Sequence, residues 1–272
     1  MESTVSAQWL NSQLTNPNIV ILDATLHNQR SKQPDGLQNI QITGARFFDI
    51  KQKFSDITNE FPSAYPPVEQ FEKEAQLLGI NSNSNIVVYD ANGMYSSARV
   101  WWLFKSMGHQ NVSVLDGGLP NWIAHSFPTE ALNLKTTFSK GNFKAKTNLN
   151  SVRKYQNISN NLKTKKELVV DVRSADRFNS LTPEPRAGLR SGTIPNSINI
   201  PYKSLLKEGK LKSEEALKTI FEPLFSEKKP IVFSCGSGLT ACVVFLAAQK
   251  ILKNNLAVYD GSWTEWGTLF QE

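Results

Sequence analysis

The segment best suited to covalent chemistry joins an apolar strand to an apolar helix through a thiol and two glycines. Ile231-Val232-Phe233-Ser234 reads as a buried strand, and Leu239 to Leu252 (LTACVVFLAAQKIL) as a helix buried over most of its surface. Between them lies Cys235-Gly236-Ser237-Gly238. This order puts Cys235 at the carboxyl end of a strand and at the mouth of a helix N-terminus, where open α/β sheets bind ligands. The glycines let successive N–H groups turn inward as an anion nest, and both the nest and the helix dipole favour negative charge on the sulfur. Such a thiol is expected to be largely thiolate near neutrality, able to attack a transferable sulfur and to hold a covalent intermediate. Most free cysteines are small buried hydrophobes instead. Cys242, set among Val243, Val244 and Phe245, fits that description and is assigned to the core.

The elements that must position this loop occur twice. Ile19 to Asp23 parallels Leu168 to Asp171, Asn85 to Asp90 parallels Pro230 to Cys235, and Val114-Leu115-Asp116-Gly117-Gly118 with Trp122 parallels Val258-Tyr259-Asp260-Gly261-Ser262 with Trp266. The offsets are 148, 145 and 144 residues, too long for a solenoid and matching a duplicated domain. Short apolar runs alternate with helical patterns, Ser97 to Met107 in the first copy and Leu239 to Leu252 in the second, which implies α/β units with mainly parallel sheets flanked by helices. In the first copy Asp90 stands where Cys235 stands in the second, and Gly93 where Gly238 stands. The first domain is thus expected to keep the scaffold without the nucleophile and to complete the wall of the active site. Residues 1–130 are read as this non-catalytic domain and 149–272 as the catalytic one. Residues 131–148, within a stretch rich in Thr, Lys and Asn, are read as an extended linker. Asp23 and Asp171 recur in both copies and are read as structural, as are Trp122 and Trp266, which are expected core anchors.

Composition narrows the class further. With 272 residues, 40% of them hydrophobic and 20% charged, the chain has the make-up of a globular protein with two domains of ordinary size. Two cysteines exclude a disulfide scaffold and an all-cysteine zinc cluster, and no metal or other cofactor is implied. No apolar run approaches ~18 residues, and the N-terminus has neither a basic nor an apolar targeting region, so a cytoplasmic protein with no membrane association is expected, and the lack of an obvious association helix favours a monomer. The net charge of +6 is uneven: residues 1–140 carry 10 basic and 12 acidic residues, and residues 141–272 carry 20 and 12. A basic half suits an anionic ligand. The lysines are scattered and lie in no aromatic-interleaved motif, which argues against nucleic acid.

The repeat and its loops resemble the two-domain rhodanese-like sulfurtransferases over essentially the whole chain. Tyr95 to Trp102 (YSSARVWW) and Leu115-Asp116-Gly117-Gly118 are similar to the first-domain signature; Ser191 to Pro201 (SGTIPNSINIP) and Tyr259 to Trp263 (YDGSW) are similar to the second. The resemblance implies two tandem rhodanese-like domains, Cys235 as nucleophile, and Gly236, Ser237, Gly238, Leu239 and Thr240 as the loop that holds its persulfide. Thiosulfate enzymes of the family usually place Arg and Lys just after the cysteine, whereas 3-mercaptopyruvate enzymes carry Cys-Gly-Ser-Gly-Val-Thr-Ala. This chain has the second form with Leu239 for Val. Thiosulfate, a compact dianion, gains from cations in the loop; mercaptopyruvate keeps its charge on a carboxylate away from the transferred sulfur. The resemblance further implies that Arg177 and Arg186, nine residues apart, bind the donor; Arg190 is a third candidate, read in preference as a loop residue. Guanidinium forks can hold a carboxylate and its neighbouring carbonyl. The implied partners are a small-molecule sulfur donor and an acceptor such as thioredoxin, a small thiol or cyanide.

One feature departs from the family. In animal relatives an acidic residue and a histidine of the first domain are proposed to work with the loop serine; those positions fall here on Lys51 and near Ser63. None of His27, His109 and His125 is a strong candidate base, and His109, after Gly108, is expected at a surface helix end. Three further activities share part of the pattern. A thiosulfate sulfurtransferase uses the same scaffold. A cysteine phosphatase needs an arginine six positions after the nucleophile, where Ala241 stands. A non-catalytic binding module fits the first domain better than a chain that retains Cys235.

Overall fold

The computed structural model describes residues 1–34, 36–134 and 136–270. The chain divides into two compact units: Met1–Asp56, Tyr65–Asn148 and Glu208–Leu211 form the first, and Ile57–Ala64, Leu149–Lys207 and Lys212–Glu272 the second. In chain order the first half contributes β1 (Thr4–Val5), α1 (Ala7–Ser12), β2 (Ile19–Asp23), α2 (His27–Arg30), β3 (Ile40–Ile42), β4 (Arg46–Phe47), α3 (Val68–Leu77), β5 (Asn85–Tyr89), α4 (Ser97–Ser106), β6 (Val112–Leu115), α5 (Gly118–Ala124) and β7 (Thr129–Ala131). The second half contributes β8 (Val152–Arg153), α6 (Tyr155–Thr164), β9 (Leu168–Asp171), α7 (Ala175–Phe178), β10 (Ile198–Asn199), β11 (Leu206–Lys207), β12 (Lys210–Leu211), α8 (Glu214–Phe221), β13 (Ile231–Ser234), α9 (Ala241–Ile251), β14 (Leu256–Tyr259) and α10 (Ser262–Leu269).

Each unit is built on a five-stranded sheet, in the order β1-β6-β5-β2-β4 in the first and β10-β9-β13-β14-β8 in the second. Every pairing within these two sheets is parallel. The duplication seen in the sequence is therefore a duplication of topology, with β5 and β13 as the equivalent central strands. A central parallel strand is covered on both faces, and accordingly Ile231, Val232, Phe233 and Ser234 are all buried, as are Ile86 to Tyr89. Helix α9 packs on β13 and β14 and is buried from Ala241 to Ala248, which explains a helix that is apolar all round. It starts two residues later than the apolar pattern suggests. Gly238 takes a left-handed conformation (φ 74°), so Leu239 and Thr240 belong to the turn before it.

Trp122 and Trp266 are fully buried, each in the core of its own unit, as the repeat implies. The stretch after β7 contains no helix or strand as far as residue 148 among the described residues, yet it is anchored: Phe143 is buried against Phe71 and Phe104. His109 differs from the surface helix end expected of it. It is buried, its Nε2 lies 2.9 Å from the Ser84 carbonyl oxygen, and Gly108 (φ 90°) makes the helix-terminating turn. The imidazole packs edge-on against Phe104, and aromatic burial has overridden the polarity of the residue type. Among the described residues no helix is long and apolar enough to cross a membrane.

Candidate functional site

Cys235 follows the last residue of β13 and its side chain is almost sealed, with the residue 1% exposed. Its surroundings are polar on one side. The Cys235 N–H donates to Ser262 Oγ at 3.0 Å, and the same hydroxyl lies 3.8 Å from Sγ while donating to the Tyr259 carbonyl at 2.8 Å. The next two residues of α10 complete a clamp: Trp263 N donates to the Cys235 carbonyl (2.9 Å), and Thr264 donates to the Gly236 carbonyl through N (2.9 Å) and Oγ1 (2.6 Å). With the carbonyls of residues 235 and 236 tied to α10, the following peptides can turn their N–H groups the other way. Among the described residues, the N–H groups of Ser237, Leu239 and Thr240 have no protein acceptor. Together with the N-terminus of α9, they form an anion-receptive loop of unpaired donors.

The first unit shows what such a loop does with a negative charge. Asp90, the counterpart of Cys235, is buried, and its Oδ2 accepts the N–H groups of Tyr95 (2.8 Å), Ser96 (3.0 Å) and Ser97 (2.9 Å) while Oδ1 accepts that of Asn92 (2.9 Å). The nest before α4 is thus filled by its own carboxylate. The equivalent loop before α9 carries a thiol instead.

The two arginines singled out from the sequence are placed differently. Arg177, on α7, lies against the loop: its Nη2 stands 3.1 Å from where a Cβ on Gly236 would be, so a glycine there lets the guanidinium approach. Arg186 is exposed and lines a cleft of about 230 Å³ with Thr264 and Thr268, and Thr264 donates to the Gly236 carbonyl of the loop. Ser237 and Thr240 are half-buried in the loop, and Leu239 is buried. Arg190 donates to the Gly267 carbonyl and stacks on Trp263, in keeping with a structural loop residue. Lys51 lies in a turn capped by Asp49, and Ser63 is buried with φ 60°.

Sequence reasoning missed Ser262, Thr264 and Glu184. For Ser262 a signal existed: it aligns with Gly118 of the first copy, and both residues have left-handed backbone, φ 51° and 50°. A serine retained where a glycine fits better implies a use for the hydroxyl. Glu184 gave a weaker signal, a carboxylate seven residues after Arg177. It is buried and bridges two cations: Oε1 accepts from Arg173 Nη1 (2.7 Å) and Arg177 Nε (3.2 Å), and Oε2 from Arg177 Nη2 (2.5 Å). Arg173 is itself held by the Asp171 carboxylate and lies over the Trp263 ring. Burial pushes the Asp171 carboxyl up from its ordinary range, and the Arg173 hydrogen bonds oppose this.

Comparison with known proteins decides the family. The model of the rhodanese-like domain matches twice, over residues 6–125 and 154–269. The chain belongs to the rhodanese-like family. It is 38% identical to human 3-mercaptopyruvate sulfurtransferase over 273 residues, covering 96% of this chain and 91% of that protein. It is 36% identical to mouse thiosulfate sulfurtransferase over 272 residues, covering 96% and 91%. The crystal structure of SseA from Escherichia coli, described as a 3-mercaptopyruvate sulfurtransferase with the rhodanese fold, superposes with a TM-score of 0.83 at 34% identity, covering 97% of this chain and 99% of that one. This rhodanese-like chain is accordingly an enzyme of the sulfurtransferase class.

Proposed function

We propose that the enzyme moves sulfur from 3-mercaptopyruvate to a thiol acceptor through a persulfide on Cys235. The Cys235 thiolate attacks the donor's thiol sulfur; an S–S bond forms, the C–S bond breaks, and its electron pair leaves on carbon as pyruvate enolate, which is protonated to pyruvate. The unpaired N–H groups of Ser237, Leu239 and Thr240 then hold the persulfide anion, and Arg177 and Arg186 hold the donor's carboxylate and carbonyl as charge develops. A small thiol, thioredoxin or cyanide removes the outer sulfur and regenerates the thiolate. The proposed arrangement assigns the chemistry to residues 149–272 and a scaffold role to residues 1–130, joined by 131–148, in a monomeric cytoplasmic protein.

The observation that supports this reading is a neutral Gly236-Ser237-Gly238 loop beside which the Arg177 guanidinium is already paired to Glu184. Such a loop suits a singly charged keto acid better than a compact dianion. The near-equal identity to the mouse thiosulfate sulfurtransferase keeps thiosulfate as the second reading. The test is kcat/KM for both donors with one acceptor under one condition. The expected result is a mercaptopyruvate preference of about tenfold or more, which corresponds to one charge-assisted contact; a thiosulfate preference overturns the donor assignment.

A further inference from the structure

We propose that Glu184 is a positioning residue that aims Arg177 at the Cys235 loop and cancels its charge, setting the preference for a singly charged donor over thiosulfate. The proposal rests on the sulfurtransferase reading above and extends it to the origin of donor choice.

Glu184 sits in a surface segment whose neighbours Thr182, Pro183, Pro185 and Arg186 are exposed, yet its own side chain is 1% exposed. Desolvating a carboxylate is costly, and an apolar side chain of similar volume usually anchors a loop at least as well. The carboxylate therefore needs a reason beyond anchoring. Its partners supply one. Asp171 at the end of β9 holds Arg173, Arg173 holds Glu184, and Glu184 holds Arg177, with closest N–O distances of 2.6, 2.7 and 2.5 Å. Two carboxylates and two guanidinium groups alternate, so the row is neutral. It runs from the buried end of a sheet strand to the glycine that follows the nucleophile.

Two consequences follow for a ligand at the loop. Glu184 takes Nε and Nη2 of Arg177, which leaves Nη1 as the nitrogen without a partner from this row. That nitrogen offers directed hydrogen bonds to a carboxylate or carbonyl oxygen, in a fixed orientation because the row locks the fork. The positive charge of Arg177 is meanwhile offset by a carboxylate 2.5 Å away, so the Coulombic reward for a second negative charge on the donor is small. Mercaptopyruvate needs the hydrogen bonds; thiosulfate needs the net charge.

The test compares the donors in Glu184→Gln and Glu184→Asp. Glu184→Gln keeps the shape and an acceptor oxygen but leaves the row with a net charge of +1, so the ratio of thiosulfate to mercaptopyruvate kcat/KM is expected to rise about tenfold, the thiosulfate KM falling. Glu184→Asp keeps the charge and shortens the reach; both donors should lose efficiency by a similar factor with the ratio unchanged. Adding Arg173→Gln to Glu184→Gln restores neutrality and should return the ratio toward that of the wild type. A Glu184→Gln enzyme that loses both donors equally, or neither, overturns the proposal. The unmodified enzyme provides a measurement that does not depend on the variants folding: pyruvate should inhibit mercaptopyruvate turnover more tightly than sulfate does, and tighter inhibition by sulfate overturns the proposal as well. If the wild type forms no Cys235 persulfide with either donor, the sulfurtransferase reading itself fails. If it turns both over and only the ratio stays fixed in Glu184→Gln, the fault lies with Glu184 alone.

Discussion

The Cys235 backbone is held by atoms that neighbouring residues have put in place, and Ser262 shows the energetics of doing so. Its left-handed backbone is costly for a residue with a Cβ, about 1 kcal/mol or more. Its hydroxyl accepts the buried Cys235 N–H, which if orphaned costs about 1–3 kcal/mol. The second term wins, which accounts for a serine at a position where the first copy has Gly118. Ser262→Ala is therefore expected to lower the unfolding free energy by about 2 kcal/mol. Ser262→Gly should lower it by about 1 kcal/mol less, because the backbone strain is relieved. Urea unfolding of the two variants checks the order; an alanine variant as stable as the glycine variant contradicts it. The placement of Cys235 between β13 and α9 was legible in the sequence, because a strand pattern precedes it and a Gly-x-Gly helix start follows it. Glu184 was not, since nothing in an exposed-looking Pro183-Glu184-Pro185 marks one carboxylate as buried between two arginines.

Among the elements, periodicity and turn chemistry gave the central strands and α9 almost as they stand, because buried parallel strands and buried helices are written as unbroken apolar runs. What failed was the fate of a single polar residue where α4 ends. His109 follows a helix-stopping glycine and looks like a surface cap, but the ring is drawn into the cluster of Phe104 and Phe143, a long-range contact with no local signature. Burial pushes the His109 imidazole below its ordinary range, with Lys105 acting in the same direction and the hydrogen bonds opposing. The unfolded histidine then takes up a proton first as the pH falls, so this contribution to stability is full above about pH 6.5 and is lost as the pH drops toward the lowered folded value. Wild-type unfolding free energy should consequently decline between about pH 7 and pH 5 more steeply than that of His109→Gln, which keeps a donor for Ser84 without the titration. Parallel slopes in the two proteins contradict this assignment.

For the whole molecule, duplication explains both how much could be read and where reading stopped. Three pairs of matched segments at nearly constant offsets are enough to infer one topology used twice, and both sheets repeat the strand order with β5 and β13 at their centres. The exchange of Asp90 for Cys235 is already visible in the bare sequence as a point where the two copies differ. Hidden from it is how differently the two loops are satisfied: four N–H groups close on Asp90 in the first, while those of Ser237, Leu239 and Thr240 have no protein acceptor among the described residues in the second. Nor did order along the chain reveal that Ile57–Ala64 belongs with the second unit, since membership there is decided by packing rather than by position.

Whether the open nest holds a sulfur that Cys235 has taken from a small keto acid can be weighed. Intact mass spectrometry of the enzyme after brief exposure to 3-mercaptopyruvate, without acceptor, should show a gain of about 32 Da that vanishes on adding a thiol and never forms in Cys235→Ala. A wild-type mass that stays unchanged, or an equal gain in the alanine variant, contradicts a persulfide on Cys235.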